Sequence, residues 1–108
     1  MPESPMQPVT KPAPDIIREE SLDNVRERMW LVIIHNDDFT PYDYVLFILE
    51  HIFGLSSEMA EHVTWMAHTN GEAVVVIRPR NEAERLIMAA RGRSRMDGFP
   101  LTFSMEQE

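Results

Sequence analysis

Met29-Trp30-Leu31-Val32-Ile33-Ile34 is an unbroken apolar run, and it ends abruptly in His35-Asn36-Asp37-Asp38. Six apolar residues, half of them β-branched, that stop in a polar turn read as a buried strand. The chain before the run has the opposite character. Five of the eight prolines, Pro2, Pro5, Pro8, Pro12 and Pro14, fall within the first fourteen residues. Proline fixes φ and removes backbone donors, and few apolar side chains accompany it, so this stretch is expected to be disordered. Residues 15–28 are mostly charged, with Ile16, Ile17, Leu22 and Val25 as scattered aliphatics. Such a stripe is too thin to dock firmly. A flexible N-terminal extension over 1–28 and a folded core over 29–108 follow.

About 80 residues support one thin core, and the remaining pattern says how it is built. Thr40-Pro41-Tyr42-Asp43 carries a helix-start signal, with Thr40 as N-cap, Pro41 at N1 and a carboxylate at N3. The helix that follows would bury Val45, Ile48, Leu49, Ile52 and Phe53 and end at Gly54. A second helix opens near Ser56 or Ser57, carries Met59, Ala60, Val63, Met66 and Ala67 on one face, and closes at Asn70-Gly71. His68 then lies in its last turn. Ala73–Ile77 reads as a strand. Asn81-Glu82-Ala83-Glu84 reads as a cap, opening a helix that buries Ala83, Leu86, Ile87 and Ala90 and frays from Gly92. Leu101–Met105 alternates with period two and reads as a half-buried strand. The order is β-α-α-β-α-β, an α/β (α+β) fold with a small three-stranded antiparallel sheet packed on three helices.

Charge and composition narrow the function. Ten Lys and Arg against eighteen Asp and Glu give a net charge of −8, and the summed field of such a chain repels a polyanion, so nucleic acid is not an expected partner. With no cysteine there is no disulfide framework, no thiol nucleophile and no Cys-based zinc site. No run approaches the roughly 20 apolar residues needed to cross a bilayer, and the N-terminus lacks the pattern of a signal peptide. A soluble, cytoplasmic protein without membrane association is expected.

Most of the chain reads as scaffold; the exception is the turn His35–Thr40 together with His68. Three readings compete. In the plainest, Asn36 and Asp38 stabilise the turn through Asx hydrogen bonds, Thr40 caps a helix and His68 is an ordinary helix-end histidine. In the second, the cluster binds a metal or does acid–base work. Calcium asks for more oxygens and zinc for more histidines, and no nucleophile–base–orienter set can be assembled, so neither a catalytic role nor a metal or cofactor is expected. In the third, the cluster receives an ammonium group. A carboxylate, an amide oxygen and a neutral imidazole nitrogen supply the three acceptors that its three N–H donors need.

Val32-Ile33-Ile34-His35-Asn36-Asp37-Asp38-Phe39-Thr40-Pro41, then His68-Thr69-Asn70-Gly71-Glu72-Ala73-Val74-Val75, Asn81-Glu82-Ala83-Glu84 and Pro100-Leu101-Thr102-Phe103-Ser104-Met105-Glu106 resemble, in order and spacing, the ClpS family, the adaptors of the ATP-dependent Clp protease. The resemblance covers about 29–108. It implies an adaptor that recognises a destabilising N-terminal residue (Trp, Phe, Tyr or Leu) and delivers its bearer to the N-terminal domain of a ClpA- or ClpC-like AAA+ unfoldase. It also implies a monomer whose N-terminal extension is engaged during delivery. Asn36, Asp37 and His68 match the family's α-amino-binding residues, and Asp38 completes the acidic motif. The side-chain pocket maps to Ile34, His35, Thr40, Tyr42, Val45, Thr64, Ala67 and Leu101.

The chain departs from the family inside that pocket. His35 stands where an aliphatic residue is usual, Tyr42 and Thr64 where bacterial members commonly have Met, and Ala67 where Val is more usual. Thr64 and Ala67 remove volume from the floor, while Tyr42 adds bulk at the gate. A deeper, more polar pocket preferring Trp, Tyr and Phe over Leu is expected, with Thr64 or His35 available to a substrate hydroxyl. The alternatives are an unfoldase regulator whose pocket Tyr42 or His35 has closed and, more remotely, a small metal-dependent enzyme. Arg91, Arg93 and Arg95 are expected to complement the dipole of the last helical turn, with a docking contact to an acidic unfoldase surface as the alternative. Trp30 and Trp65 read as packing residues, with exposure of Trp65 near an unfoldase interface as the alternative.

Overall fold

The computed structural model describes residues 29–108; the expectation for the extension over 1–28 falls outside them. The elements are β1 (Met29–His35), α1 (Tyr42–His51), α2 (Ser57–Asn70), β2 (Glu72–Pro79), α3 (Arg80–Met96) and β3 (Thr102–Gln107). The fold class and element order are those expected. The apolar run becomes the central strand of an antiparallel sheet ordered β2-β1-β3, which explains its continuity. A middle strand has backbone partners on both edges and little solvent to face.

Helices and sheet share one core. Val32 and Ile34 from β1 meet Val45, Ile48 and Leu49 from α1, Ala60, Val63 and Ala67 from α2, Ala83, Ile87 and Ala90 from α3, and Leu101 and Phe103. Ile48 and Leu49 are completely buried, each contributing about 1.5–3 kcal/mol of transfer free energy. The β1–β2 register slips between Val32↔Val76 and Ile33↔Val74. Val75 is the extra residue, and this bulge lets both Val75 and Val76 enter the core.

Several local expectations are corrected. Pro41, in extended conformation, is the N-cap of α1 and makes no side-chain cap, since proline carries no polar side-chain atom; the Thr40 hydroxyl instead donates to Asp37. Phe53 is buried beyond the end of α1. In α2, Met59 is exposed and Thr64 is buried in its place, since the 3.6-residue stripe runs through 60, 63, 64 and 67. α3 starts at Arg80 after Pro79 with no side-chain cap, and it runs unbroken through Gly92 to Met96. Ser94 at the core face bonds back to the Ala90 carbonyl at 2.8 Å, so the buried hydroxyl costs the helix little.

Candidate functional site

The end of β1 and the end of α2 are fastened together by a glycine. Gly71 closes α2 with φ of 92°, and its N–H bonds to the Ala67 carbonyl. That left-handed conformation suits glycine because a Cβ would be strained there. The Gly71 carbonyl in turn accepts the Asn36 N–H at 2.9 Å. The turn after β1 is thereby held against the last turn of α2, the turn that carries His68. Two segments separated by some thirty residues become neighbours.

Asp37 builds the turn. Its Oδ1 accepts the backbone N–H groups of Phe39 at 2.8 Å and Thr40 at 2.7 Å, and its Oδ2 accepts the Thr40 hydroxyl at 2.8 Å. The Asx role assigned to Asn36 and Asp38 thus belongs to Asp37, whose side chain lies two and three residues before the amides it caps. Burial raises the Asp37 carboxyl, but these hydrogen bonds, helped by the Arg95 charge, outweigh it and hold the group below the ordinary carboxylate range. A carboxylate offers about four lone-pair sites. Three are used, and the group is both ionised and fixed in orientation.

All twelve residues singled out from the sequence border one concavity of about 210 Å³: Ile34, His35, Asn36, Asp37, Asp38, Thr40, Tyr42, Val45, Thr64, Ala67, His68 and Leu101. Ile34, Val45, Thr64, Ala67 and Leu101 are buried, and they form an interior below a polar mouth of exposed Asn36, Asp38 and His68. Cavities of ~150 Å³ in protein cores accept benzene, so the space suits one aromatic side chain. Thr64 donates its hydroxyl to the Ala60 carbonyl at 2.7 Å, which leaves its oxygen able only to accept.

Neither Tyr42 nor His35 fills the space. The Tyr42 phenol donates to Glu61 Oε2 at 3.0 Å, and its ring meets His68 edge-on with centroids 6.2 Å apart. Burial, reinforced by the Glu61 carboxylate, pushes that phenol up, so it remains a donor. The His35 ring is held between strands, with Nε2 2.6 Å from Ser104 Oγ and Nδ1 3.5 Å from Glu72 Oε1. His35 thus borders the concavity while its ring is also engaged by Ser104 and Glu72, with Ile34 on the core side and its successor on the other by β alternation.

Two contributors, Glu61 and Arg95, were missed or underread. Glu61 fixes Tyr42. Arg95 donates from Nη1 to the carbonyls of Phe99 at 3.1 Å and Leu101 at 2.9 Å, more than the dipole role expected of it. Trp65 is 56 % exposed, the alternative to packing that its sequence reading carried. Among the described residues no group of three or more His, Cys, Asp or Glu is placed to hold a metal ion, and no helix is long and apolar enough to cross a membrane.

Residues 25–104 match the family model described as ATP-dependent Clp protease adaptor protein ClpS. The chain belongs to the ClpS family. An ATP-dependent Clp protease adapter protein ClpS of Desulfatibacillum aliphaticivorans is 33% identical over 94 residues, covering 87% of this chain and 90% of the relative. ClpS 2 of Mesorhizobium japonicum is 33% identical over 108 residues, covering 100% of this chain and 99% of its own length. Among solved structures, Agrobacterium tumefaciens ClpS2 bound to L-phenylalaninamide is similar with a TM-score of 0.73 and 35% identity, over 76% of this chain and 99% of that one. The family model and these relatives make the chain a ClpS-type adaptor of the Clp protease.

Proposed function

We propose that this ClpS-family adaptor binds proteins through a destabilising N-terminal residue, Trp, Phe, Tyr or Leu, and delivers them to a Clp AAA+ unfoldase–protease. The observation that carries the reading is a concavity with an apolar interior and an acceptor-bearing mouth. The first side chain fills the interior. The α-amino group, mostly charged at neutral pH, meets Asp37, Asn36 and His68, with Asp38 adding negative charge. The related structure bound to L-phenylalaninamide supports this assignment, because that ligand presents a free α-amino group beside one aromatic side chain. An acetylated or internal residue lacks the charge and leaves acceptors unpaired at about 1–3 kcal/mol each. The protein acts as a cytoplasmic monomer, docks on the unfoldase's N-terminal domain, and offers residues 1–28 during delivery.

Fluorescence anisotropy of labelled peptides differing only in residue one, Trp, Phe, Tyr, Leu, Val and acetylated Phe, tests the binding half. Aromatic peptides are expected to bind, with binding lost on acetylation and in His68→Ala. No binding by any peptide to well-folded protein would overturn the reading. Removing residues 1–20 is expected to spare peptide binding and abolish accelerated degradation by the unfoldase–protease.

A further inference from the structure

Trp65 belongs neither to the core nor to the pocket lining. It is 56 % exposed, and its ring centroid lies 6.3 Å from that of His68. A large aromatic left in water beside a binding mouth is informative, since its burial elsewhere would be favourable. Glu61, Trp65 and His68 stand at i, i+4 and i+7 on α2, one face of the helix. Tyr42 joins them from α1 through its hydrogen bond to Glu61 and its edge contact with His68. Three rings and a carboxylate form a wall that runs outward from the mouth, with Tyr42 and His68 at its edge and Trp65 beyond them.

We infer that this wall receives the second residue of a bound N-terminal peptide and favours arginine there. The inference rests on the pocket reading above. Successive Cα atoms are about 3.8 Å apart, so a peptide anchored by its α-amino group at Asn36, Asp37 and His68 carries residue two directly over the rim. A guanidinium is planar, stacks on an indole face and pairs with a carboxylate; Trp65 and Glu61 offer both on consecutive turns. Charge agrees, since the chain carries −8 and Asp37 and Asp38 stand at the same mouth. A glutamate at position two meets carboxylates instead.

Binding of labelled Phe-Arg, Phe-citrulline, Phe-Ala and acetyl-Phe-Ala peptides to the full chain and to Trp65→Ala and Trp65→Phe tests it, with thermal melting as the check on folding. Citrulline keeps the shape of arginine and removes its charge. The wild type is expected to bind Phe-Arg about two- to fivefold more tightly than Phe-citrulline. That ratio should fall to about one in Trp65→Ala and survive in part in Trp65→Phe. Equal binding by the wild type, or an undiminished ratio in Trp65→Ala, overturns the inference while leaving the pocket reading intact. Failure of Phe-Ala to outbind its acetylated form overturns both.

Discussion

Arg95 on α3 donates to the Leu101 carbonyl at 2.9 Å, fastening a buried wall residue of the pocket to a helix that contributes no lining residue of its own. Arg95→Met keeps the aliphatic stem and removes the donors. Charge-assisted bonds contribute about 1.5–3 kcal/mol when shielded; for this exposed side chain about 1 kcal/mol is the expected loss of stability. In a domain of this size that corresponds to a fall in Tm of about 4–8 °C, accompanied by weaker binding of a Phe-initiated peptide. Thermal melting and anisotropy read both, and an unaltered Tm would show that the loop holds Leu101 without help.

Asp37 has a structural and a charge role that two substitutions separate. Asp37→Asn keeps an acceptor for the Phe39 and Thr40 amides but loses the charge, so peptide binding is expected to fall while stability changes little. Asp37→Ala loses both, and unfolding in urea should show a further cost of about 1–2 kcal/mol. Equal stability of the two variants would mean that the turn is held by its neighbours.

Acid dependence follows from the same group. The Asp37 carboxyl is lowered in the folded state: burial alone would raise it, and the hydrogen bonds of the turn prevail. A depressed carboxyl contributes stability above its unfolded value of about 3.9, lost as pH falls through the lower folded value. The contribution of Asp37 to folding and to ammonium binding should therefore persist at about pH 4.5. Loss of the stability difference between the wild type and Asp37→Ala at that pH would contradict it.

His68 is assigned the third acceptor for the ammonium group, from the mouth that it shares with Asn36 and Asp37. His68→Ala is expected to weaken binding of a Trp-initiated peptide while leaving thermal melting close to that of the wild type. Unchanged binding in that variant would count against His68 as an acceptor.

Pocket preference rests on Thr64, whose oxygen can accept but whose proton is committed to Ala60. Trp- and Tyr-initiated peptides, which bring their own donors, are expected to bind more tightly than Leu-initiated ones. Thr64→Val should reduce the Tyr advantage over Phe, and Thr64→Met should fill the floor and reverse the preference toward Leu. Equal affinities for Leu and Trp in the wild type would refute the deeper pocket.

The sequence by itself determined the order of elements along the chain and the stop at Gly71, and its resemblance to the ClpS family nominated the site residues. Apolar periodicity and a glycine cap are local properties, legible without coordinates. Thr40, Pro41 and Asp43 were legible as a helix start, but which hydroxyl bonds to which carboxylate was not, because Asp37 competes for Thr40 at a distance that spacing alone leaves open. Tertiary structure decided the rest. It turned the His35 ring onto Glu72 and Ser104, because strand pairing brings those side chains together across the sheet. Glu61 reached Tyr42 because α1 and α2 pack on one core, and Arg95 reached Leu101, six residues on, because the chain turns back after α3. Trp65 was left in water because the buried stripe of α2 runs through its neighbours, and hydrophobicity alone does not say on which side of a helix a tryptophan will fall.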